Sequence, residues 1–318
     1  MAAFTFCLPP GLLSRDGGGA YVRSLTDALQ VAGHSVQIGS VPAPASIYVI
    51  DGAALADVPL CHAAGAVALV HHTTPLVRAR ERSAVQGAER ERLHLVRCII
   101  TTSEAMRDRL VGEAGLELAK IAVVQPGVPD VQRSVGSGSG TCCILSVGAL
   151  VARKGHATLL RALALLPDLD WRLVIVGNTT RDPAHTAALQ TQVAQARVAD
   201  RVRFAGSMDD TALAAEWAGA DMFALATEWE GYSAPVAEAL RRGLPVAVAQ
   251  GGAAAALVVP EVGIVVQPGD AEQLSKAMRR MIFDTELRSS MAAAAWRAGQ
   301  ALPDWPTQAA RFVEAVAA

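Results

Sequence analysis

Two glutamates eight positions apart, Glu230 and Glu238, anchor the most chemically suggestive stretch of the chain, Thr227-Glu-Trp-Glu-Gly-Tyr-Ser-Ala-Pro-Val-Ala-Glu-Ala-Leu-Arg-Arg-Gly-Leu-Pro245. An apolar strand ends near Ala226 and a helix starts near Pro235; proline suits a first helical turn, where its missing N–H costs nothing. Ser233 and Ala234 then fall at the helix cap, where unpaired N–H groups form a ready anion site. Gly231 lets the backbone approach a ligand closely. Glu230 lies in the loop and Glu238 one turn into the helix, so both carboxylates can face one ligand. Carboxylates suit sugar and ribose hydroxyls because they accept strong hydrogen bonds. Taken alone, the pair also reads as two solvated glutamates on a plain strand-turn-helix.

Two places in the N-terminal half carry further possibilities. Ser14-Arg-Asp-Gly-Gly-Gly19 follows the first strand and precedes a helix, and such a turn can cradle phosphate or lie against a sugar. It lacks the GxGxxG spacing of a dinucleotide fingerprint, and a flexible strand-to-helix turn is an equal reading. Ala66-Val-Ala-Leu-Val-His71-His72 is a buried strand delivering two histidines at its carboxyl end. Zinc is not expected there, because adjacent side chains on a strand point to opposite faces. Arg78, Arg80, Arg82, Arg90 and Arg92 could draw an anionic acceptor or a membrane. The interleaved glutamates favour a solvated, salt-bridged helix face. Thr102-Ser103-Glu104 reads as a helix cap.

The elements that must position these residues alternate regularly. Strands are expected at Phe4–Leu8, Ser35–Ile38, Ile47–Ile50, Val67–Val70, Cys98–Thr101 and Ile121–Val124, with helices at about 20–32, 76–96 and 104–113. Gln132–Thr141, rich in Gly and Ser, reads as a flexible linker. The alternation then restarts with strands at Cys142–Val147, Arg172–Val176, Val202–Ala205, Met222–Ala226, Pro245–Ala249 and Gly263–Val266, with helices between and after them. Such alternation implies parallel strands joined by right-handed crossovers. The expectation is an α/β chain of two facing Rossmann-like, doubly wound domains with a cleft between them, ligands binding at the carboxyl ends of strands. The expected divisions are an N-terminal domain over 1–131, a linker over 132–141, a C-terminal domain over 142–300, and a final helix over 301–318 that crosses back.

Composition narrows the classes. The 318 residues are 52% hydrophobic and 18% charged, which excludes a disordered chain. Net charge is −2, and residues 1–130 hold 11 basic and 12 acidic residues, so no basic field for nucleic acid is present. Five cysteines, an odd number without CxxC spacing, argue against a disulfide framework or zinc site and fit a reducing cytoplasm. The start, Met1–Leu13, is a poor signal peptide, and no apolar run approaches the ~18 residues of a membrane span.

The stretch from Glu230-Gly-Tyr through Pro235 to Glu238-Ala-Leu and Gly243-Leu-Pro-Val-Ala-Val resembles the E-x7-E region of family 4 retaining glycosyltransferases, which have the GT-B fold. Leu145-Ser-Val-Gly148 through Arg153-Lys154-Gly155 resembles the strand and basic loop opening the donor domain of that family. Leu173–Gly177, Val202–Met208 and Gly263–Asp270 resemble its later strands, in family order. The likeness is close over most of 142–285 and loose before it.

The resemblance implies site residues. Arg153 and Lys154 would grip a donor diphosphate, with the backbone of Ser233, Ala234 and Pro235; a solvated helix start is the competing reading of the two cations. Gly231 and Tyr232 belong to the same loop. Glu238 would bond the ribose hydroxyls and Glu230 would touch the donor sugar as a catalytic residue. Gly206 and Met208 would line the base. Gly17, Gly18 and Gly19 would contact phosphate or acceptor, and His71, which aligns better than His72, would stand beside the donor sugar as a catalytic residue, with either of the two histidines able to face the site. One departure is Ser233, where the family usually has glycine, which adds a side chain close to the sugar.

The implied activity is metal-independent, retaining transfer from a nucleoside-diphosphate sugar, UDP ahead of GDP, to an acceptor hydroxyl on a sugar, a lipid-linked or a small molecule. No cofactor, metal ion or nucleic-acid partner is expected, peripheral membrane contact is not indicated, and the oligomeric state is open. A nucleotide-sugar epimerase of the same fold, or a nucleotide-sugar-binding subunit that needs a partner, are the alternatives. A Rossmann oxidoreductase is disfavoured by the missing glycine fingerprint.

Overall fold

The computed structural model describes residues 1–9, 18–71 and 82–317. These form two compact units, one comprising Met1–Gly127 with Pro303–Ala318 and the other Val128–Leu302. Each is built on a six-stranded sheet in which every pairing is parallel.

In the first unit the strands are β1 (Ala3–Cys7), β2 (Ser35–Ile38), β3 (Ile47–Asp51), β4 (Val67–Val70), β5 (Cys98–Thr101) and β6 (Ile121–Val123), ordered β2-β1-β3-β4-β5-β6. The helices are α1 (Gly18–Val31), a short α2 (Leu60–Ala63), α3 (Arg82–Leu95), α4 (Glu104–Ala114) and, from the far end of the chain, α11 (Trp305–Ala317). Strand β4, Val-Ala-Leu-Val, is buried on both faces, as a central strand of a covered parallel sheet must be. Ser103 caps α4, its Oγ accepting the Met106 N–H at 3.1 Å. Helix α11 carries Phe312 into the core against Phe4 and Phe6, with ring centroids 5.8 and 6.3 Å apart.

The second unit contains β7 (Cys142–Val147), β8 (Trp171–Val176), β9 (Val202–Gly206), β10 (Met222–Leu225), β11 (Val246–Ala249) and β12 (Gly263–Val266), ordered β12-β11-β10-β7-β8-β9. Around them lie α5 (His156–Ala164), α6 (Pro183–Gln195), α7 (Asp210–Ala218), α8 (Ala234–Arg241), α9 (Ala271–Phe283) and α10 (Thr285–Gln300). Helix α9 shows why these segments are helical. Leu274, Met278, Met281 and Ile282 recur at helical spacing on its buried face, and the Asp270 carboxylate accepts the Gln273 N–H at 2.8 Å as its N-cap. In this order the direction of winding reverses between β7 and β10, the place where such sheets bind ligands. In the first unit the reversal falls between β1 and β3.

The stretch expected as a flexible linker, 132–141, is corrected by its contacts. It belongs to the second unit and is pinned there. Ser134 Oγ donates toward the carbonyls of Ala218 and Ala220 at 2.9 and 2.7 Å, and Val135 N–H donates to Ala218 O at 3.0 Å. The Arg133 guanidinium lies 5.6 Å over the Trp296 ring. The physical reason is that Ala218 is the last residue of α7, where carbonyls lack partners within the helix. Gly and Ser composition signals freedom only while the chain's polar groups are left to water. Ser134→Ala is expected to cost about 1 kcal/mol of stability, read as a lower urea midpoint at constant slope; an unchanged midpoint would show that this strap contributes nothing.

At the boundary of the first unit, backbone meets backbone. A Cβ built on Gly127 would fall 2.4 Å from Trp305 N and 2.5 Å from its Cα, so only glycine permits this approach. Among the described residues no helix is long and apolar enough to cross a membrane.

Candidate donor site and a histidine at the first sheet

The second unit gathers its chemistry at the carboxyl ends of β7 and β10. After β7 the chain turns through Gly148 to Arg153, Lys154 and Gly155, and α5 begins at His156. After β10 it runs through Thr227 to Glu230 before α8. Lys154 Nζ lies 2.5 Å from Glu230 Oε1, Arg153 donates from a terminal guanidinium nitrogen at 3.4 Å, and Thr227 Oγ1 donates to the same oxygen at 3.0 Å. Lys154 and Glu230 are only 8% and 6% exposed. A buried carboxylate demands such company, since unpaired it would be costly.

Backbone contacts fix both sides of the cluster. Glu230 N–H donates to Gly251 O at 3.1 Å, and its own carbonyl accepts the Ala253 N–H at 2.9 Å, a parallel bridge to the Gly252 segment. The Arg153 carbonyl accepts the Glu228 N–H at 2.8 Å, and the Thr227 hydroxyl, 3.0 Å away, shares its one proton between this carbonyl and Glu230 Oε1. Gly155 has φ +69°, and a Cβ there would fall 1.8 Å from Ala226 O. The Lys154 stem lies along Gly148, where a Cβ would meet its Cδ at 3.2 Å. His156 is buried, and burial followed by the Lys154 charge pushes it down to about 3, so it adds no cation at the positive end of α5.

Glu238 sits on α8 and is held by a fork from Arg242, whose Nε and terminal nitrogen both donate to Oε1, at 3.0 and 2.8 Å. Among the described residues Oε2 takes no hydrogen bond. Burial raises the Glu238 carboxyl, and the Arg242 charge and hydrogen bonds partly oppose this. Ser233 is fully buried as the N-cap of α8, yet its hydroxyl makes no capping bond. Pro235 stands in the first turn of that helix. Burial pushes the Tyr232 phenol up to about 12. The structure therefore brings Arg153, Lys154 and Glu230 into one cluster and places Gly231, Tyr232, Ser233, Ala234, Pro235 and Glu238 directly after it. Lys154, expected to grip the donor diphosphate, is hydrogen-bonded to Glu230.

Gly206 and Met208 lie elsewhere in the unit, at the end of β9, two strands from β7 on the side away from β10. Gly206, with φ +72°, edges a groove of about 390 Å³ lined by Thr179, Pro183, Thr186 and Phe204. Met208 leans on the core around Trp217.

In the first unit Gly18 and Gly19 open α1, while Gly17 and His72 lie outside the described residues. His71 follows β4, its Nε2 2.7 Å from Asp51 Oδ2. Asp51 was not among the residues singled out from sequence. The one signal available was its place at a strand end, which becomes meaningful only once β3 and β4 are known to be neighbours.

Fold and site together define a two-unit, doubly wound α/β protein with a charged strand-end site beside a helix N-terminus. The family model described as "Glycosyl transferases group 1" matches residues 129–297, and the chain belongs to that family. It is 27% identical over 266 residues to the D-inositol 3-phosphate glycosyltransferase of Corynebacterium diphtheriae, a match covering 75% of this chain and 60% of that protein. A lipopolysaccharide core biosynthesis glycosyltransferase, LpsE of Rhizobium meliloti, is 33% identical over 150 residues, 47% of this chain and 42% of that one. The chain thus spans about 60% of the length of the Corynebacterium relative. Among solved structures, sucrose-phosphate synthase of Thermosynechococcus elongatus superposes with a TM-score of 0.83 at 18% identity, covering 99% of this chain and 98% of that one. Anabaena HepE in complex with UDP and glucose gives a TM-score of 0.83 at 18% identity, with 99% of both chains covered. The fold is GT-B.

Proposed function

We propose that this chain is a glycosyltransferase that moves a sugar from a nucleoside-diphosphate sugar, with UDP as the nucleotide, to an acceptor hydroxyl with retention of configuration and without a metal ion. The observation that carries the reading is the cluster at the ends of β7 and β10 in which buried Lys154 and Glu230 meet the half-buried Arg153. There a diphosphate would meet two cations and the free N–H groups opening α8. Arg offers a planar fork and Lys a point charge for phosphate. Together with the helix end they are fixed before the reaction, and so stabilise the charge growing on the departing diphosphate.

Each remaining residue then has a task. Glu238 Oε2 accepts a ribose hydroxyl while Arg242 occupies Oε1. As the diphosphate draws on Lys154 and Arg153, the Glu230 carboxylate turns its capacity to the hydroxyls of the donor sugar. Gly231 and Tyr232 let the chain pass close to that sugar, and Gly206 with Met208 line the base. The acceptor hydroxyl attacks from the face that the diphosphate leaves, which retains configuration and requires no base on the opposite face.

Titration calorimetry with UDP, GDP, ADP, dTDP and CDP, each alone and with its common sugars, tests the reading on the purified chain. Selective binding of UDP, undiminished by EDTA, is expected. A loss of binding on EDTA treatment restored by a divalent ion would overturn metal independence. An epimerised nucleotide sugar formed without acceptor would replace transfer by epimerisation.

A further inference from the structure

The carboxylate of Glu238 is held by an arginine that is itself anchored in the core. Arg242 caps the C-terminal end of α8, four residues on from Glu238 and so on the same helix face. Its Nε and one terminal nitrogen donate to Glu238 Oε1 at 3.0 and 2.8 Å. Its side chain is only 8% exposed, and its guanidinium carbon lies 5.6 Å from the centre of the Trp217 ring. Trp217, on α7, is fully buried and stacked on Phe223 of β10, with ring centroids 5.4 Å apart. The Arg242 backbone is fixed as well: its N–H donates to Glu238 O, and its carbonyl accepts the Ser134 N–H, both at 2.9 Å. Phe223, Trp217, Arg242 and Glu238 thus form one row within the second unit.

The fork is lopsided, and that decides what the carboxylate can read. A guanidinium facing a free carboxylate ordinarily gives one N–H to each oxygen. Here both go to Oε1, which has two lone pairs and is then full. Oε2 is left as the open acceptor, and among the described residues nothing donates to it. A vicinal diol meets a free carboxylate with one hydroxyl to each oxygen; with Oε1 filled, only one of the two can bond in this way. We infer that Arg242, backed by Trp217, is a positioning residue that restricts Glu238 to a single acceptor oxygen, so that the site reads one of the two ribose hydroxyls of the nucleotide and is indifferent to the other. This rests on the reading above, in which Glu238 bonds the ribose.

Calorimetry with UDP, 2′-deoxy-UDP and 3′-deoxy-UDP on the full-length chain tests it. In the wild type one of the two deoxy analogues is expected to bind about tenfold more weakly than UDP and the other within about twofold of it. Arg242→Met keeps an unbranched stem against Trp217 but offers no donor. It frees Oε1 and is expected to remove the preference, both analogues then losing to a similar degree. Arg242→Lys keeps the charge without the planar fork and is expected to behave like Arg242→Met, which separates orientation from charge. A purely structural role for Arg242 would weaken all three nucleotides in the same proportion. The clamp is also read without ligand. Nitrogen-15 NMR of arginine-labelled chain, with Arg242 assigned through Arg242→Lys, is expected to show its Nε–H exchanging slowly with water, and faster in Glu238→Ala.

Four results would each overturn the inference: equal losses for the two analogues in the wild type, a preference that survives in Arg242→Lys, proportionate weakening of all three nucleotides in both variants, or an Arg242 Nε–H that exchanges as fast as in the unfolded chain. Binding of UDP with no loss for either analogue would overturn the ribose contact of Glu238 itself. A wild-type chain that binds no UDP would overturn the donor reading instead, and the NMR result would still decide the clamp.

Discussion

Lys154→Ala is expected to lower nucleoside-diphosphate affinity by more than about tenfold, the loss of one charge-assisted contact at the least. Two effects add. The phosphate loses a point charge held in place by its own stem, which lies along Gly148. The Glu230 carboxylate also loses its closest partner, at 2.5 Å, while staying buried, so an arriving anion meets a less neutralised negative group. Removing one member of a buried pair typically costs about 3–5 kcal/mol of stability. The low end of that range is expected here, because Arg153 and Thr227 still donate to the same oxygen. Calorimetry and urea unfolding measure the two losses separately. Unchanged affinity would refute the phosphate role, and unchanged stability would show that the pair is held at no net gain.

Gly155→Ala is the second large effect. Alanine at φ +69° is strained on its own account, and its Cβ would overlap Ala226 O at 1.8 Å. A backbone carbonyl at the end of β10 cannot move aside as a side-chain tip would. Relief requires the 153–155 turn and the 226–230 loop to part, which undoes the Arg153 carbonyl's bond to the Glu228 N–H and its contact with the Thr227 hydroxyl. The expected cost is at least about 3 kcal/mol, with nucleotide binding lost in step. Gly140→Ala is the matched control: nothing lies within 4 Å of a Cβ there, and its effect should stay within about 0.5 kcal/mol. Equal urea midpoints for the two variants would contradict this account of the turn.

These two variants fall where the sequence was most legible. Apolar runs punctuated by Gly and Pro located the strands because both sheets are parallel and covered, so that strands such as β4, β10 and β11 are buried throughout. The pairing of the 153–154 turn with Glu230 was half legible. Both segments stood out, but sequence does not say that β7 and β10, three strands apart in the chain, are neighbours in the sheet. Asp51 was illegible for the same reason, being a lone carboxylate after a short strand until β4 lies beside it. The linker reading failed on a different point. Ser134 looked solvated because its partners, the terminal carbonyl of α7 and the carbonyl of Ala220, belong to residues more than eighty positions away.

The contact between Gly127 and Trp305 has a consequence for how this chain could be cut and recombined. The second unit enters the sequence as an insertion: the chain leaves the first unit after Gly127 and rejoins it at Pro303. The two cut points lie against each other, since the Gly127 backbone touches that of Trp305. A short splice across that gap would keep α11, and with it Phe312, in the core of the first unit. Ending the chain at Leu302 would instead strip that core of one wall. The second unit is thus placed to be exchanged as a cassette, and the first can be spliced at the seam where its own two segments already meet.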